Sequence, residues 1–210
     1  MIDKHTKNFF FQSGRDLLLC KKAKQTGFKK LDSILPNGGW PLEGVIEIFY
    51  PQAHIGELKI FLPVITKSTQ SDEKVILIDP PFLPYSPTLL SENVVLSNIL
   101  IFKPDKEIKN RSVRIFNACN QLLLTKNFSY IFFWCKRLTF SQFRKLNLLT
   151  IKRNVLVILL SEIESSLDSL PSKLKISLTT LSMSSSEREI DVRILKNRIN
   201  SSIKSCRLRL

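Results

Sequence analysis

Short apolar runs rich in β-branched residues alternate along this chain with longer polar stretches that carry apolar residues at helical spacing. Such alternation is typical of an α/β fold in which a mostly parallel sheet is flanked by crossover helices. The pattern predicts strands at residues 44–49, 74–79, 98–102, 129–135 and 154–160. It predicts helices between them, near residues 55–68, 88–92, 109–124 and 139–151.

The period of the apolar pattern changes to two in the last third of the chain. Apolar residues alternate there in two segments, on either side of a serine-rich gap at residues 182–186: Leu174, Ile176 and Leu178, then Ile190, Val192 and Ile194. Alternation of this kind predicts a C-terminal antiparallel strand pair at the edge of the sheet.

The remaining segments suggest a division of the chain into three parts. Residues before about Phe28 predict an amphipathic helix that contains Phe9, Phe10, Leu17 and Leu18, followed by a basic linker at residues 21–25. We therefore assign residues 1–25 to an N-terminal helix and linker, residues 26–198 to the α/β domain, and residues 199–210 to a basic tail.

Length and composition are those of a folded domain. The 210 residues are 43% hydrophobic, which is enough for one domain with a sizeable core. The apolar runs are too short to cross a bilayer, and the N-terminus carries charged residues without an uninterrupted apolar region, so we expect a cytoplasmic protein and no membrane partner. Widely spaced cysteines indicate reduced thiols rather than a zinc site or a disulfide framework: Cys20, Cys119, Cys135 and Cys206.

The chain is strongly basic, with a formal net charge of +14 and a pI near 9.8. This charge favours association with nucleic acid or with acidic protein surfaces, although a solvated basic face would have the same composition. No aromatic-interleaved RNA-recognition signature is present, so composition alone does not name a nucleic acid. The candidate nucleic-acid or partner contacts are Lys136, Arg137, Arg144, Lys145, Arg193, Lys196 and Arg198.

Residues 44–58 have the frame of a nucleotide-binding strand, loop and helix, but the residues that bind phosphate are replaced. A working loop reads G-x-x-x-x-G-K-[ST], in which the lysine neutralises phosphate and the hydroxyl binds magnesium. Here Gly56 is present, but Tyr50 or Pro51 replaces the first glycine, Glu57 the lysine, and Leu58 the hydroxyl. A carboxylate repels a triphosphate, so this degenerate P-loop predicts neither a nucleotide cofactor nor ATP hydrolysis.

Other candidate chemical groups are isolated in the sequence. Asp79 ends a predicted strand before a proline-rich segment, but no partner residue accompanies it. The segment FFWCK at residues 132–136 supplies no magnesium ligand. His5 and His54 have no nucleophile beside them. We therefore expect no catalytic residue, no metal and no cofactor, and hence no enzyme.

The run TGFKKLDSILPNGGWPLEGVIEIF at residues 26–49, with IGELKIFLP at residues 55–63 and the proline-rich turn after Asp79, resembles the ImuA family of translesion-synthesis accessory proteins. That family is RecA-like and is related to the cell-division inhibitor SulA. The resemblance spans roughly residues 26–198. The residues that carry it are Gly27, Leu31, Asp32, Leu35, Pro36, Gly38, Gly39, Trp40, Pro41 and Gly44, followed by Gly56, Glu57 and Leu58.

The resemblance implies a RecA-like core and a non-catalytic role in the DNA-damage (SOS) response. The implied partners are an error-prone polymerase, a polymerase-like accessory protein, or RecA. The first alternative is a SulA-like division inhibitor that binds FtsZ, but SulA proteins generally lack the LPNGGWP lead-in found at residues 35–41. A basic DNA-binding protein is a further alternative. We interpret LPNGGWP as a structural elbow rather than a contact patch, because Gly38 and Gly39 permit positive φ and Trp40 suits packing on the sheet.

Overall fold

An eight-stranded mixed sheet runs through the computed structural model of the chain, which describes residues 23–51, 57–107, 109–125, 128–135, 138–162, 172–184, 187–197 and 203–210. Its strand order is β10-β9-β8-β3-β7-β6-β4-β5. The strands are β3 (Gly44–Phe49), β4 (Lys74–Ile78), β5 (Ile99–Phe102), β6 (Phe128–Trp134), β7 (Leu156–Ser161), β8 (Leu174–Met183), β9 (Arg188–Asn197) and β10 (Ser205–Arg209). A separate two-stranded sheet pairs β1 (Ala23–Lys24) with β2 (Trp40–Pro41).

Pairing within the large sheet confirms the predicted α/β class. The strands from β3 to β8 pair in parallel with one another. The C-terminal strands β8 and β9 form the predicted antiparallel pair. The prediction that this pair lies at the edge of the sheet is wrong, because β10 adds to β9 in antiparallel orientation and forms the edge. The five predicted strands of the first part all exist, with boundaries within two residues of the prediction.

Between the described strands lie five α-helices. They are α1 (Lys29–Ile34), α2 (Leu62–Gln70), α3 (Ser86–Ser91), α4 (Arg111–Leu124) and α5 (Phe140–Arg153), with short 3-10 turns at Pro36–Gly38, Lys59–Phe61 and Leu96–Asn98. Helix α2 begins later than predicted, with Pro63 in its first turn. Proline is favoured there because N–H groups in the first turn of a helix have no acceptor within the helix, so the missing N–H of proline costs no hydrogen bond. Among the described residues, no helix is both long and apolar enough to span a membrane.

The start of α5 shows how local sequence sets a boundary. The Thr139 hydroxyl accepts a hydrogen bond from the Gln142 N–H, and the Gln142 side chain accepts one from the Thr139 N–H at 2.9 Å. This reciprocal capping satisfies two N–H groups that would otherwise lack acceptors. At the other end, Asn154 ends the helix in the left-handed conformation with φ of 61°.

Two apolar cores cover opposite faces of the sheet. On strand β3, Ile46 and Ile48 belong to the first core and Val45 to the second. Leu31 of α1 and Ile65 of α2 pack into the first core, together with the inward residues of β8, β9 and β10. Helices α4 and α5 supply the second core, with Ile115, Phe116, Leu123, Phe143 and Leu146. The central strands are therefore buried on both sides.

The C-terminal residues differ from the sequence-based assignment. Residues 199–210 are assigned above to a basic tail, but Ser205–Arg209 form strand β10 on the sheet and Leu208 is buried in the first core. Of the assigned linker, Ala23 and Lys24 pair with Pro41 and Trp40. The predicted N-terminal amphipathic helix lies outside the described residues.

The LPNGGWP lead-in packs as an elbow against the first core. Trp40 is fully buried and stacks on Phe61 with ring centroids 4.6 Å apart, and Phe61 meets Phe132 of β6 at 5.1 Å. Gly38 has φ of 73°, while a Cβ on Gly39 would collide with the backbone of Lys24. The glycines thus permit a turn that delivers Trp40 to the core.

We expect Trp40→Ala to lower the free energy of unfolding by about 3–5 kcal/mol, because truncation of a fully buried aromatic side chain leaves a cavity. Denaturation with urea would measure the loss. Leu42→Ala is the matched control, since Leu42 is 41% exposed and its truncation should cost less than about 0.5 kcal/mol. Equal losses for the two variants would contradict a structural role for the elbow.

Candidate functional site

A crevice of about 770 Å³ lies at the carboxyl ends of the central parallel strands. The residues that immediately follow four neighbouring strands line it: Tyr50 after β3, Asp79 after β4, Cys135 after β6 and Glu162 after β7. Ligands of open α/β sheets bind at this end of the strands. The crevice is therefore the place to look for chemistry in this fold.

Tyr50, which with Pro51 is one of two residues expected at the first glycine of a P-loop, is buried directly after β3. Its N–H donates to the Ser161 carbonyl at 3.0 Å, which fixes the backbone beside β7. Burial raises the pKa of the Tyr50 phenol, and the nearby charges of Glu57 and Glu162 raise it further. Two carboxylates therefore act at the end of β3 where a P-loop would bind phosphate, and they disfavour an anion there.

Asp79 is held by an ion pair rather than left available for catalysis. Its backbone is left-handed with φ of 56°. Arg111, near the start of α4, donates from Nη1 to one carboxylate oxygen at 2.6 Å and from Nη2 to the other. The hydrogen bond to Asp79 raises the pKa of Arg111. This two-point contact ties α4 to the end of β4.

Cys135 occupies the end of β6, where an ATPase of this architecture would need a magnesium ligand. Burial raises the pKa of its thiol to about 12, and the charges of Glu47 and Asp79 act in the same direction. Among the described residues, no group of three or more histidine, cysteine or acidic side chains is arranged to hold a metal ion. The crevice thus contains a neutral thiol at this position.

The remaining predicted loop and contact residues are dispersed. Gly56, His54, Lys136, Arg137 and Arg198 lie outside the described residues. Arg144 and Lys145 are exposed on α5, whereas Lys196 is half-buried on β9. Arg193 is exposed on β9 and its guanidinium lies 3.7 Å from the carboxylate of Asp191.

An exposed apolar edge, which the sequence analysis did not identify, lies at β5. Among the described strands, β5 pairs with β4 alone, so its other edge is open. Exposed large apolar side chains are concentrated on β5 and on the segment before it. We define the β5-edge surface as the exposed apolar residues of the strand itself: Leu100, Ile101 and Phe102.

The apolar sequence ILIF predicts β5 as a strand, but it does not show that the strand would lie at an edge. Lys103 and Lys106 follow it, and the Lys103 ammonium donates to the Pro81 carbonyl at 2.9 Å. Native edge strands are usually protected by charged residues, prolines or bulges. Such protection is absent within Ile99–Phe102 itself, which makes this edge a candidate binding surface.

No protein-family model matches the chain, and no curated protein matches it. The resemblance to the ImuA family therefore stays a prediction that rests on the residues quoted above. The function has to be argued from the crevice, the two edges of the sheet and the distribution of charge.

Asp79→Asn should lower the free energy of unfolding by about 1–2 kcal/mol, because Asn tolerates the left-handed backbone but cannot pair ionically with Arg111. Chemical denaturation at neutral pH would measure the change. Arg193→Gln is the control, because its ion pair with Asp191 is solvent-screened and Arg193 is 59% exposed. A loss from Asp79→Asn no larger than the control would rule out a structural role for the crevice ion pair.

Alkylation by iodoacetamide should distinguish the thiols of Cys135 and Cys206. Burial raises the pKa of Cys206 to about 11 and that of Cys135 to about 12, so the thiolate of Cys206 should be the more abundant at pH 8 and Cys206 should react faster. Both rates should rise with pH because both thiols are neutral below these values. Peptide mapping would measure the two rates in one sample, and urea-unfolded protein, in which they should converge, is the control. Faster reaction of folded Cys135 would contradict the assignment.

Proposed function

We propose that this protein is a non-catalytic accessory protein of the SOS response that acts as a RecA-like adaptor in error-prone translesion DNA synthesis. The observation that carries the proposal is the contrast between two parts of one sheet. The crevice where such a fold would hydrolyse ATP contains carboxylates and a buried tyrosine, while the β5 edge is open and apolar.

The position of β3 supports a RecA-like core with a degenerate P-loop. Strand β3 lies inside the sheet between β7 and β8, and the chain leaves it for β4, three positions away. In an open α/β sheet, ligands usually bind at the carboxyl ends of strands near the point where the strand order changes direction. Residues Tyr50, Pro51, Glu57 and Leu58 replace the phosphate-binding groups at that place.

The contents of the crevice support a binding role rather than a catalytic one. The Asp79 carboxylate is engaged by Arg111, and the Cys135 thiol is neutral at physiological pH. Glu57 and Glu162 place negative charge near Tyr50. A fold that retains its sheet but not its phosphate and metal ligands retains surfaces through which it pairs with other proteins.

The β5 edge gives the adaptor a physical means of binding. An extended segment from a partner adds to an open edge through main-chain hydrogen bonds, while alternate side chains contact the apolar residues beside it. Ile101 is exposed on one face of β5, with Leu100 and Phe102 on the other, and Lys103 just after the strand favours an acidic residue in the partner segment. The candidate partners are an error-prone polymerase, a polymerase-like accessory protein, or RecA.

Affinity purification of the tagged protein from damaged native cells, in moderate salt that suppresses nonspecific basic binding, tests the adaptor. Recovery of an error-prone polymerase or RecA would support it. Recovery of FtsZ without them would overturn it in favour of the SulA-like division inhibitor, and cells that elongate on overexpression without DNA damage would point the same way.

Ile101→Lys should reduce recovery of that partner about tenfold or more, because a lysine on an edge strand opposes strand addition. The substitution should leave the melting temperature nearly unchanged, since Ile101 is 43% exposed. Leu148→Lys is the matched control, because Leu148 is an exposed apolar residue on α5, 61% accessible and remote in the fold from β5. Equal recovery with the two variants would exclude the β5 edge as the binding surface.

A further inference from the structure

A groove of about 590 Å³ lies beside β10, the edge strand opposite β5. The start of α1 forms one wall and β10 forms the other. The side chains that matter for its chemistry are Phe28, Lys29, Lys30, Glu189, Arg207 and Arg209.

Strand β10 brings together basic residues that are almost 180 positions apart in the sequence. Leu208 is buried in the first core, which anchors the strand, and its neighbours Arg207 and Arg209 are exposed. They stand opposite Asp191 and Glu189 in the register with β9. Lys30 lies near enough to β10 that its charge acts on the thiol of Cys206. The groove is thus a product of the tertiary fold.

The charge of the groove is unbalanced. It contains four cations and one carboxylate, that of Glu189. Lys29, Lys30, Arg207 and Arg209 are all exposed, and no ion pair joins any of them to another residue in the part of the chain that the structure describes. An excess of cations along a concave surface attracts a polyanion.

Phe28 adds a second kind of contact to this basic surface. It is half-buried, packs against the first core and is one of the residues that line the groove, next in the chain to the lysines of α1. A positively charged groove that contains an aromatic side chain is the combination with which proteins bind single-stranded nucleic acid, because bases stack on the ring while cations follow the backbone.

We propose that this groove binds single-stranded nucleic acid, with Lys29, Lys30, Arg207 and Arg209 on its phosphates and Phe28 stacked on a base. Arg207 and Arg209 are two positions apart on a strand, so their Cα atoms are about 7 Å apart and their side chains share one face of β10, the face opposite Leu208. Guanidinium groups suit phosphate because they donate two parallel hydrogen bonds. An acidic peptide would satisfy the cations but would leave the aromatic contact unused.

The inference does not depend on the adaptor proposal. It uses the edge of the sheet opposite β5 and requires no polymerase, RecA or FtsZ. None of its four cations belongs to the candidate contacts chosen from the sequence.

Fluorescence anisotropy with a labelled oligothymidylate of 20 nucleotides measures single-stranded nucleic-acid binding by the full-length protein. The variant Lys29→Gln, Lys30→Gln, Arg207→Gln, Arg209→Gln should bind about tenfold or more weakly at 0.1 M salt, and the slope of log K against log salt should become shallower by about 3, since each lost phosphate contact removes about 0.7. Phe28→Leu, which keeps an apolar side chain in the core, should weaken binding about fivefold or more.

A second quadruple variant removes the same charge away from the groove: Lys67→Gln, Lys109→Gln, Arg114→Gln and Lys152→Gln. All four residues are exposed, none lines the groove, and none is among the candidate contacts chosen from the sequence. The groove proposal expects this control to bind within about twofold of the wild type, and circular dichroism should show that both variants fold. Equal weakening by the two variants would show that net charge alone drives binding, and would overturn the proposal, as would no weakening by either.

Competition separates the groove's ligand from other anions. Unlabelled oligothymidylate should displace the probe. Displacement by polyglutamate at the same charge concentration would assign the groove to acidic protein, and displacement by low millimolar inorganic phosphate would assign it to small anions. Equally tight binding of a duplex would remove the role of base stacking. Each of these three results would overturn the proposal.

Discussion

Burial of the central parallel strands on both faces is the constraint on which the rest of this structure depends. Side chains of β3 alternate between two cores, with Ile46 and Ile48 on one side and Val45 on the other. Helices α1 and α2 must cover the first face, while α4 and α5 cover the second. With both faces of its centre covered, the sheet meets other molecules chiefly at its strand ends and at its two edge strands. The crevice, the β5-edge surface and the basic groove each lie at one of those places.

The same constraint explains which elements were predictable. A strand buried on both faces reads as a continuous apolar run, and residues 44–49 were predicted with the bounds that β3 has in the structure. Strand β10 was missed because only one of its faces is buried. Its single fully buried residue, Leu208, stands between two arginines, so local composition reads as a basic tail. Local sequence also does not show whether a strand lies at the edge of a sheet, since the apolar sequence ILIF of β5 would suit a central strand equally well.

The candidate sites divide in a similar way. Replacement of the phosphate-binding lysine by Glu57 is visible in the sequence, and the charge of Glu57 does reach Tyr50 in the structure. The ion pair of Asp79 with Arg111 was not predictable, because 32 residues separate its partners and only the crossover from β4 through β5 to α4 brings them together. The basic groove was missed for the same physical reason. The sequence shows which residues occupy a single loop, whereas contacts between charged residues of distant elements depend on how those elements pack.

The two edge strands of the sheet differ in chemistry: β5 is apolar, whereas basic residues lie beside β10. Their separation would allow each edge to bind a different ligand. Eight strands spaced about 4.8 Å apart place β5 and β10 roughly 34 Å from each other. Charges interact across only about 8 Å at physiological ionic strength, so the cations beside β10 exert little direct influence on a partner at β5. An apolar edge favours a protein segment through main-chain pairing, and a basic edge favours a polyanion. A chain with both would hold a protein and a nucleic-acid strand at the same time without competition between them. Simultaneous binding of this kind is what an adaptor requires, and it needs no chemistry in the crevice between the two edges.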